Sequence, residues 1–241
     1  MCAQEGAVVY IGARNMEQAQ AEADQLAAAG LRVKCVFNDA TQPESFQSMI
    51  DTVVAAEGRI DGLVNNFGGT NPAQDKDLLS TAYDDFIGGI DVNIGSVFLG
   101  SQAAARAMAK TGGSIVNISS IAGSVPDISQ IAYGTAKAAI NHMTKSMAVQ
   151  LARANIRVNA VAPGMTATDA VADNLSEEFK QFFLRHIPLG RMADPEHIAA
   201  AVVYFLADES AATTGQLLEV SGGFGLATPI YADAMDAAVA R

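Results

Sequence analysis

Short apolar runs alternate with longer amphipathic stretches along almost the whole chain, and this alternation limits the possible folds more than any other feature. The run Ala7-Val8-Val9-Tyr10-Ile11 is apolar at every position, as expected of a strand buried on both faces of a parallel sheet. Gly6 before it reads as a helix terminator, which makes residues 1–5 the last turn of a helix. Residues 16–29 have helical composition and stop at Gly30, after which Leu31, Val33, Cys35 and Phe37 alternate as in a strand. Phe46, Met49, Ile50, Val53 and Val54 share one helical face, that helix ends near Gly58, and residues 60–64 read as the next strand. The same rhythm predicts a long helix over 80–110, a strand over 114–118, an alanine-rich helix over 131–154 and a strand over 156–161 that stops at Pro163-Gly164. Shorter helices over 176–186 and 195–207 precede a last strand over 216–220. Strands alternating with helices imply an α/β, Rossmann-like, doubly wound parallel sheet with helices on both faces. Ligands of such sheets bind at the carboxyl ends of the strands, here the polar loops after Phe37, Val64, Ile118 and Val161.

Composition narrows the function classes. At 241 residues and 50% hydrophobic, residues 1–241 suit one domain with a large core. The two cysteines, Cys2 and Cys35, are too few for a secreted disulfide framework, and neither they nor His142, His186 and His197 have metal-ligand spacing, so no metal site is expected. No apolar run approaches the roughly 18 residues that span a bilayer, and Met1 opens no secretory leader, which points to a soluble, cytoplasmic protein with no membrane partner. A net charge of -11 disfavours nucleic acid and favours a small-molecule ligand.

Tyr133 and Lys137 lie four apart on a predicted helix and so share a face, and Ser120 ends the strand before it. A tyrosine of pKa about 10 is a poor base at neutral pH, but a nearby ammonium favours the phenolate, and a three-unit shift needs only about 4 kcal/mol. Alone, such a pair also describes an ordinary solvated helix face. Its company is Asn65-Asn66-x-Gly, Asn93, Ser120 thirteen residues before Tyr133, and Arg-Val-Asn-Ala-Val-x-Pro-Gly at residues 157–164. In that order the set resembles the short-chain dehydrogenase/reductase family over essentially the whole chain.

The resemblance implies that Tyr133 exchanges the hydroxyl proton of an alcohol, that Ser120 hydrogen-bonds the substrate oxygen, that Lys137 holds the nicotinamide ribose and lowers the tyrosine pKa, and that Asn93 fixes a water in the proton relay. Asn93 also reads as a buried amide that satisfies backbone groups in a long helix. Asn66, Pro163, Gly164, Thr166 and Thr168 are implied as cofactor contacts, although Pro163-Gly164 is also an ordinary turn. At the end of the strand after Gly6, where members that use NAD carry an acid, this chain has Gly12-Ala13-Arg14. Arg14 can face a 2′-phosphate, which favours NADP; otherwise it is a solvated surface residue. Asp39 resembles the acid that hydrogen-bonds adenine, or it caps the helix that follows.

One family element is missing. The glycine-rich turn Thr-Gly-x-x-x-Gly-x-Gly, whose amides receive pyrophosphate, has no counterpart in this sequence. The resemblance begins at the end of the family's first helix, so a strand, that turn and most of a helix, roughly 25 residues, are expected upstream of Met1 in a longer chain. Without the usual first strand, the strands near residues 7–11 and 60–64 are expected to show unpaired edges. The alternative is an inactive scaffold that oligomerises through its long helices.

Within the family, residues 65–71, residues 125–129 and the tail from Gly222 to Tyr231 resemble bacterial dehydrogenases acting on the 7α-hydroxyl of bile acids, a steroid substrate, and family members imply a homotetramer. Met165, Phe179, Phe182, Phe183 and Leu184 fit an apolar lid over a flat substrate, or else the core face of an amphipathic helix. Other carbonyl substrates remain open, namely 3-oxoacyl groups on a carrier protein and 3α- or 12α-hydroxysteroids. A carrier-docking enzyme calls for a basic rim, and Lys plus Arg number 15 against 26 acidic residues.

Overall fold

A computed structural model describes residues 1–168, 171, 175–228 and 230–239. Residues 1–5 form one helical turn, with Gly6 at φ +94° closing it. Then follow β1 (Val9–Ala13), α1 (Met16–Ala28), β2 (Val33–Phe37), α2 (Pro43–Glu57), β3 (Gly62–Asn65), α3 (Tyr83–Met108), β4 (Gly113–Ile118), α4 (Ile131–Leu151) and β5 (Ile156–Pro163). The chain continues through α5 (Glu177–Leu184), α6 (Pro195–Leu206), β6 (Leu217–Val220) and α7 (Tyr231–Val239). The predicted elements are present with shifts of a few residues at their ends, and α7 is an addition that the tail's glycines and proline concealed. Local chemistry sets the boundaries. The Asn15 side chain accepts from Gln18 N–H at 3.2 Å to start α1, Pro43 opens α2, and Gly58 at φ +77° ends it.

The strands are all parallel but form two sheets, β1–β2 and β3–β4–β5–β6. β1 and β3 are thus both edge strands, as expected for a sheet that lacks a strand between them. In the larger sheet the strand period of two divides the core. Ile115 and Val158 join Ile50, Val53, Ala104, Met108 and Ala148 from α2, α3 and α4, whereas Val116 and Val161 join Ala201, Val202 and Phe205 from α6. Helices therefore cover both faces, and β4 and β5 are buried along most of their length, Ser114, Asn117 and Asn159 included.

A polar ladder crosses this core. Asn65 Nδ2 donates to Ser101 Oγ at 2.9 Å and to Asn117 Oδ1 at 2.8 Å, and Asn117 Nδ2 donates to Thr144 Oγ1 at 2.9 Å. All four residues are buried, and a Cβ on Gly100 would stand 2.6 Å from Asn65 Oδ1, so the ladder requires glycine there. Truncating Asn117 strands a donor on Asn65 and an acceptor on Thr144 where no water reaches. Asn117→Ala is expected to cost about 2–4 kcal/mol of unfolding free energy, read by urea denaturation. A loss under about 0.5 kcal/mol would mean that the ladder is not a unit.

Candidate active site

The carboxyl end of β4 and the first turns of α4 meet to form the site. Lys137 is 3% exposed, and its Nζ donates to the Ile118 carbonyl at 2.9 Å. The Ser119 hydroxyl donates to the Lys137 carbonyl at 3.2 Å, and a Cβ on Gly123 would stand 2.7 Å from the Lys137 backbone carbon, so the loop after β4 lies directly on α4. One turn before Lys137, the Tyr133 phenol lies near enough to the Ser120 side chain for that hydroxyl to draw its pKa down, and Lys137 Nζ lies 5.4 Å from the centre of the Tyr133 ring. Ser120, Tyr133 and Lys137 therefore converge, as the spacing predicts.

Asn93, 1% exposed on α3, completes the group. Its Nδ2 donates to the Gly69 and Gly89 carbonyls at 2.9 Å each, and its Oδ1 accepts from Gly69 N–H at 3.1 Å. That is the buried amide serving backbone groups. The same Oδ1 and Lys137 Nζ both border Gly68, where a Cβ would stand 2.9 Å from the oxygen and 2.8 Å from the nitrogen. Gly68 thus packs directly against Lys137 and Asn93, with no room for a side chain. Beside it lies a cavity of about 330 Å³ lined by Phe67, Gly69, Thr70, Asp75, Val92 and Tyr133 among others. Asp75, which the sequence reading missed, accepts from Tyr133 N–H at 2.9 Å.

Burial works against charge on both central groups. It pushes the Tyr133 phenol above its ordinary value, with the Ser120 hydrogen bond pulling the other way, and it lowers the Lys137 ammonium to about 8. The phenol is therefore a proton donor at neutral pH.

The remaining predicted contacts lie at other strand ends. Arg14 follows β1 on the surface. Asp39 follows β2 with its carboxyl held below the usual range, first by the Thr41 N–H and hydroxyl, both at 2.9 Å, and further by the Arg14 guanidinium. Those bonds, with Gln42 at 3.3 Å, make Asp39 the polar hub of the turn into α2. Asn66 is exposed just beyond β3. Pro163 ends β5, and Gly164 packs so closely on Ser221 that a Cβ would stand 2.8 Å from its Cα. Thr166 Oγ1 donates to the Gly164 carbonyl at 3.1 Å, and Thr168 Oγ1 accepts from Val171 N–H at 3.3 Å. On α5 no residue is fully buried; Phe179 and Phe182 are half-exposed and Phe183 stacks on Phe224 at 4.7 Å. The helix is therefore no part of the core. Among the described residues no cluster of metal ligands occurs, and His197 serves the cap of α6, where Asp194 N–H donates to its Nδ1 at 2.9 Å. No described helix is long and apolar enough to cross a membrane.

A protein-family model described as enoyl-(acyl carrier protein) reductase matches residues 1–225. The chain is 47% identical to the 7alpha-hydroxysteroid dehydrogenase of Clostridium sardiniense over 96% of its own length and 88% of that protein. It is 37% identical to the 3-oxoacyl-[acyl-carrier-protein] reductase FabG of Thermotoga maritima, over 92% of this chain and 89% of that one. Among solved structures, a 7 alpha-hydroxysteroid dehydrogenase complexed with NADH and 7-oxo glycochenodeoxycholic acid superposes with a TM-score of 0.86 at 33% identity, covering 92% of this chain and 86% of the other.

The lowered Lys137 value carries a stability signature. Folded Lys137 releases its proton near 8 and unfolded lysine holds it to 10.5, so between those values the unfolded chain binds more protons and stability rises with pH. Lys137→Met should remove that rise, which amounts to about 3 kcal/mol at most. Tyr133, whose value is raised from 10.0, begins to oppose that rise only at the top of the window. Urea unfolding of both chains below pH 8 and at about pH 10 measures the difference, and equal pH dependence would refute the assignment.

Proposed function

Because the chain belongs to the short-chain dehydrogenase/reductase family and is an oxidoreductase, we propose that it interconverts a secondary alcohol and a ketone on a bile acid, at the 7α-hydroxyl, with NADP(H). The observation that carries the reading is the placing of Tyr133 beside buried Lys137, with Ser120 drawing the phenol pKa down, at the wall of a cavity of substrate size. Oxidation requires that Tyr133 accept the alcohol's hydroxyl proton as the carbon gives up hydride; reduction requires that its phenol return the proton to the carbonyl oxygen. Ser120 holds that oxygen by a second hydrogen bond. Lys137 favours the phenolate by its charge, and Asn93, whose Oδ1 borders the same glycine as Lys137 Nζ, would fix a water that links Tyr133 to solvent.

The residues fit a nicotinamide dinucleotide at its two ends. Lys137 beside Tyr133 would hold the nicotinamide ribose, with Asn66, Pro163, Gly164, Thr166 and Thr168 as the further contacts at that end, while Arg14 would face a 2′-phosphate and Asp39 the adenine. The given sequence contains no glycine-rich pyrophosphate turn, so we assign that part of the cofactor to no residue. When bound, the nicotinamide supplies or accepts the hydride.

The steroid reading draws on the 47% identity to a 7alpha-hydroxysteroid dehydrogenase and on Phe179 and Phe182 of α5, which stand half-exposed outside the core. A second reading, reduction of 3-oxoacyl groups on a carrier protein, is favoured by the 37% identity to such a reductase, but a net charge of -11 offers an acidic carrier little attraction. We read residues 1–241 as one catalytic unit that assembles as a homotetramer through the outer faces of α3 and α4, where Phe98 and Val149 are exposed.

Bile acids hydroxylated singly at carbons 3, 7 and 12, offered with NADP, test the position. Reduced cofactor should form with the 7α-alcohol, and turnover confined to carbon 3 or 12 would sink the proposal. Arg14→Ala should raise KM for NADP roughly tenfold to a hundredfold and leave KM for NAD nearly unchanged, which steady-state kinetics with each cofactor would show.

A further inference from the structure

The helix that carries Tyr133 has no cap of its own. Gln130 ahead of α4 sits at φ +59° and its side chain makes no capping bond. The first N–H groups of a helix have no acceptor within it. Here a distant segment supplies all of the first three. Ile131 N–H donates to the Lys76 carbonyl at 3.1 Å, Ala132 N–H to one carboxylate oxygen of Asp75 at 2.9 Å, and Tyr133 N–H to the other at 2.9 Å. Asp75 is 7% exposed and also accepts from the Thr70 hydroxyl at 3.0 Å. Thr70 follows Gly69, which Asn93 clamps from both its N–H and its carbonyl. Thr70, Asp75 and Tyr133 line the same cavity.

We propose that Asp75 is a positioning residue, a carboxylate in the substrate cavity wall that sets the place of the Tyr133 phenol by holding the backbone from which it projects. This rests on Tyr133 being the acid-base group. A carboxylate suits the task where a hydroxyl does not, because two adjacent N–H groups need two acceptor oxygens and a helix start favours negative charge. The charged groups around the phenol are Lys137 on its own helix, Asp75 on the loop, and Asp85 of α3 across the cavity. Removing the Asp75 charge leaves the positive helix start uncompensated, which favours the phenolate.

The experiment pairs kinetics of the holoenzyme with an ultraviolet titration of the phenol in the chain alone, Tyr133 being identified by the difference from Tyr133→Phe. Asp75→Asn should lower kcat on the order of 10²-fold, and Tyr133 should titrate at a lower pH than in the parent. Asp75→Glu keeps the charge but moves it by one methylene, so kcat should fall with the titration unmoved. A parental kcat or a parental titration in Asp75→Asn overturns the proposal. If that variant does not fold, Asp75→Glu carries the test: a fallen kcat with a parental titration supports the proposal, and either a parental kcat or a shifted titration overturns it. Full turnover by Tyr133→Phe would instead sink the reading of Tyr133, and the titration would still judge Asp75.

Discussion

An ammonium that has left water must find oxygen acceptors, and Lys137 finds one in the carbonyl of Ile118, the last residue of β4, at 2.9 Å. That bond fixes the height of α4 against the strand end. Tyr133 lies one turn earlier on the same face, so seating Lys137 at Ile118 delivers the phenol to Ser120 two residues further along the loop. The close packing of Gly123 and Ser119 on the α4 backbone makes the fit exclusive, because any other height would clash or break the bond to Ser119. The geometry of the reactive group is therefore a consequence of where one buried charge is satisfied.

Much of this was legible because it depends on short-range spacing. Tyr133 and Lys137 share a face by helix period alone, and the apolar runs in β4 and β5 declare burial on both sides. Asp75 was not legible, since it caps a helix 57 residues away and looks in sequence like any loop aspartate. The ladder through Asn65, Asn117 and Thr144 is hidden for the same reason, each residue belonging to a different element. Asn93 shows a third case. Sequence left it between helix amide and relay group, and the structure shows the amide, which clamps Gly69 with an oxygen that also borders the glycine beside Lys137.

The two ends of the site are held by different forces. Around Tyr133 the elements are tied by strand pairing and by buried hydrogen bonds. Arg14 and Asp39 instead sit on the β1–β2 pair, which has no backbone bond to the larger sheet. Packing joins that pair to the rest: Met49 of α2 lies against Gly12, where a Cβ would stand 2.7 Å from its sulfur, and Tyr10 and Lys34 both bond Glu57 at the end of α2. Side-chain contacts of this kind yield more readily than a sheet, so the end proposed for the adenosine has the softer foundation.

The charge states of Tyr133 and Lys137 bear on direction. Burial favours the neutral form of both, so a protonated phenol beside a carbonyl oxygen is the state the fold supplies without further help. Taking a proton from an alcohol needs the phenolate, which burial alone disfavours and which an ammonium close to the ring stabilises. That ammonium is itself lost above about 8, so the help and the need pull apart as the solution becomes more basic. With Tyr133 as the proposed acid-base group, oxidation would lose that help above about 8, whereas reduction, which starts from the neutral phenol, would not.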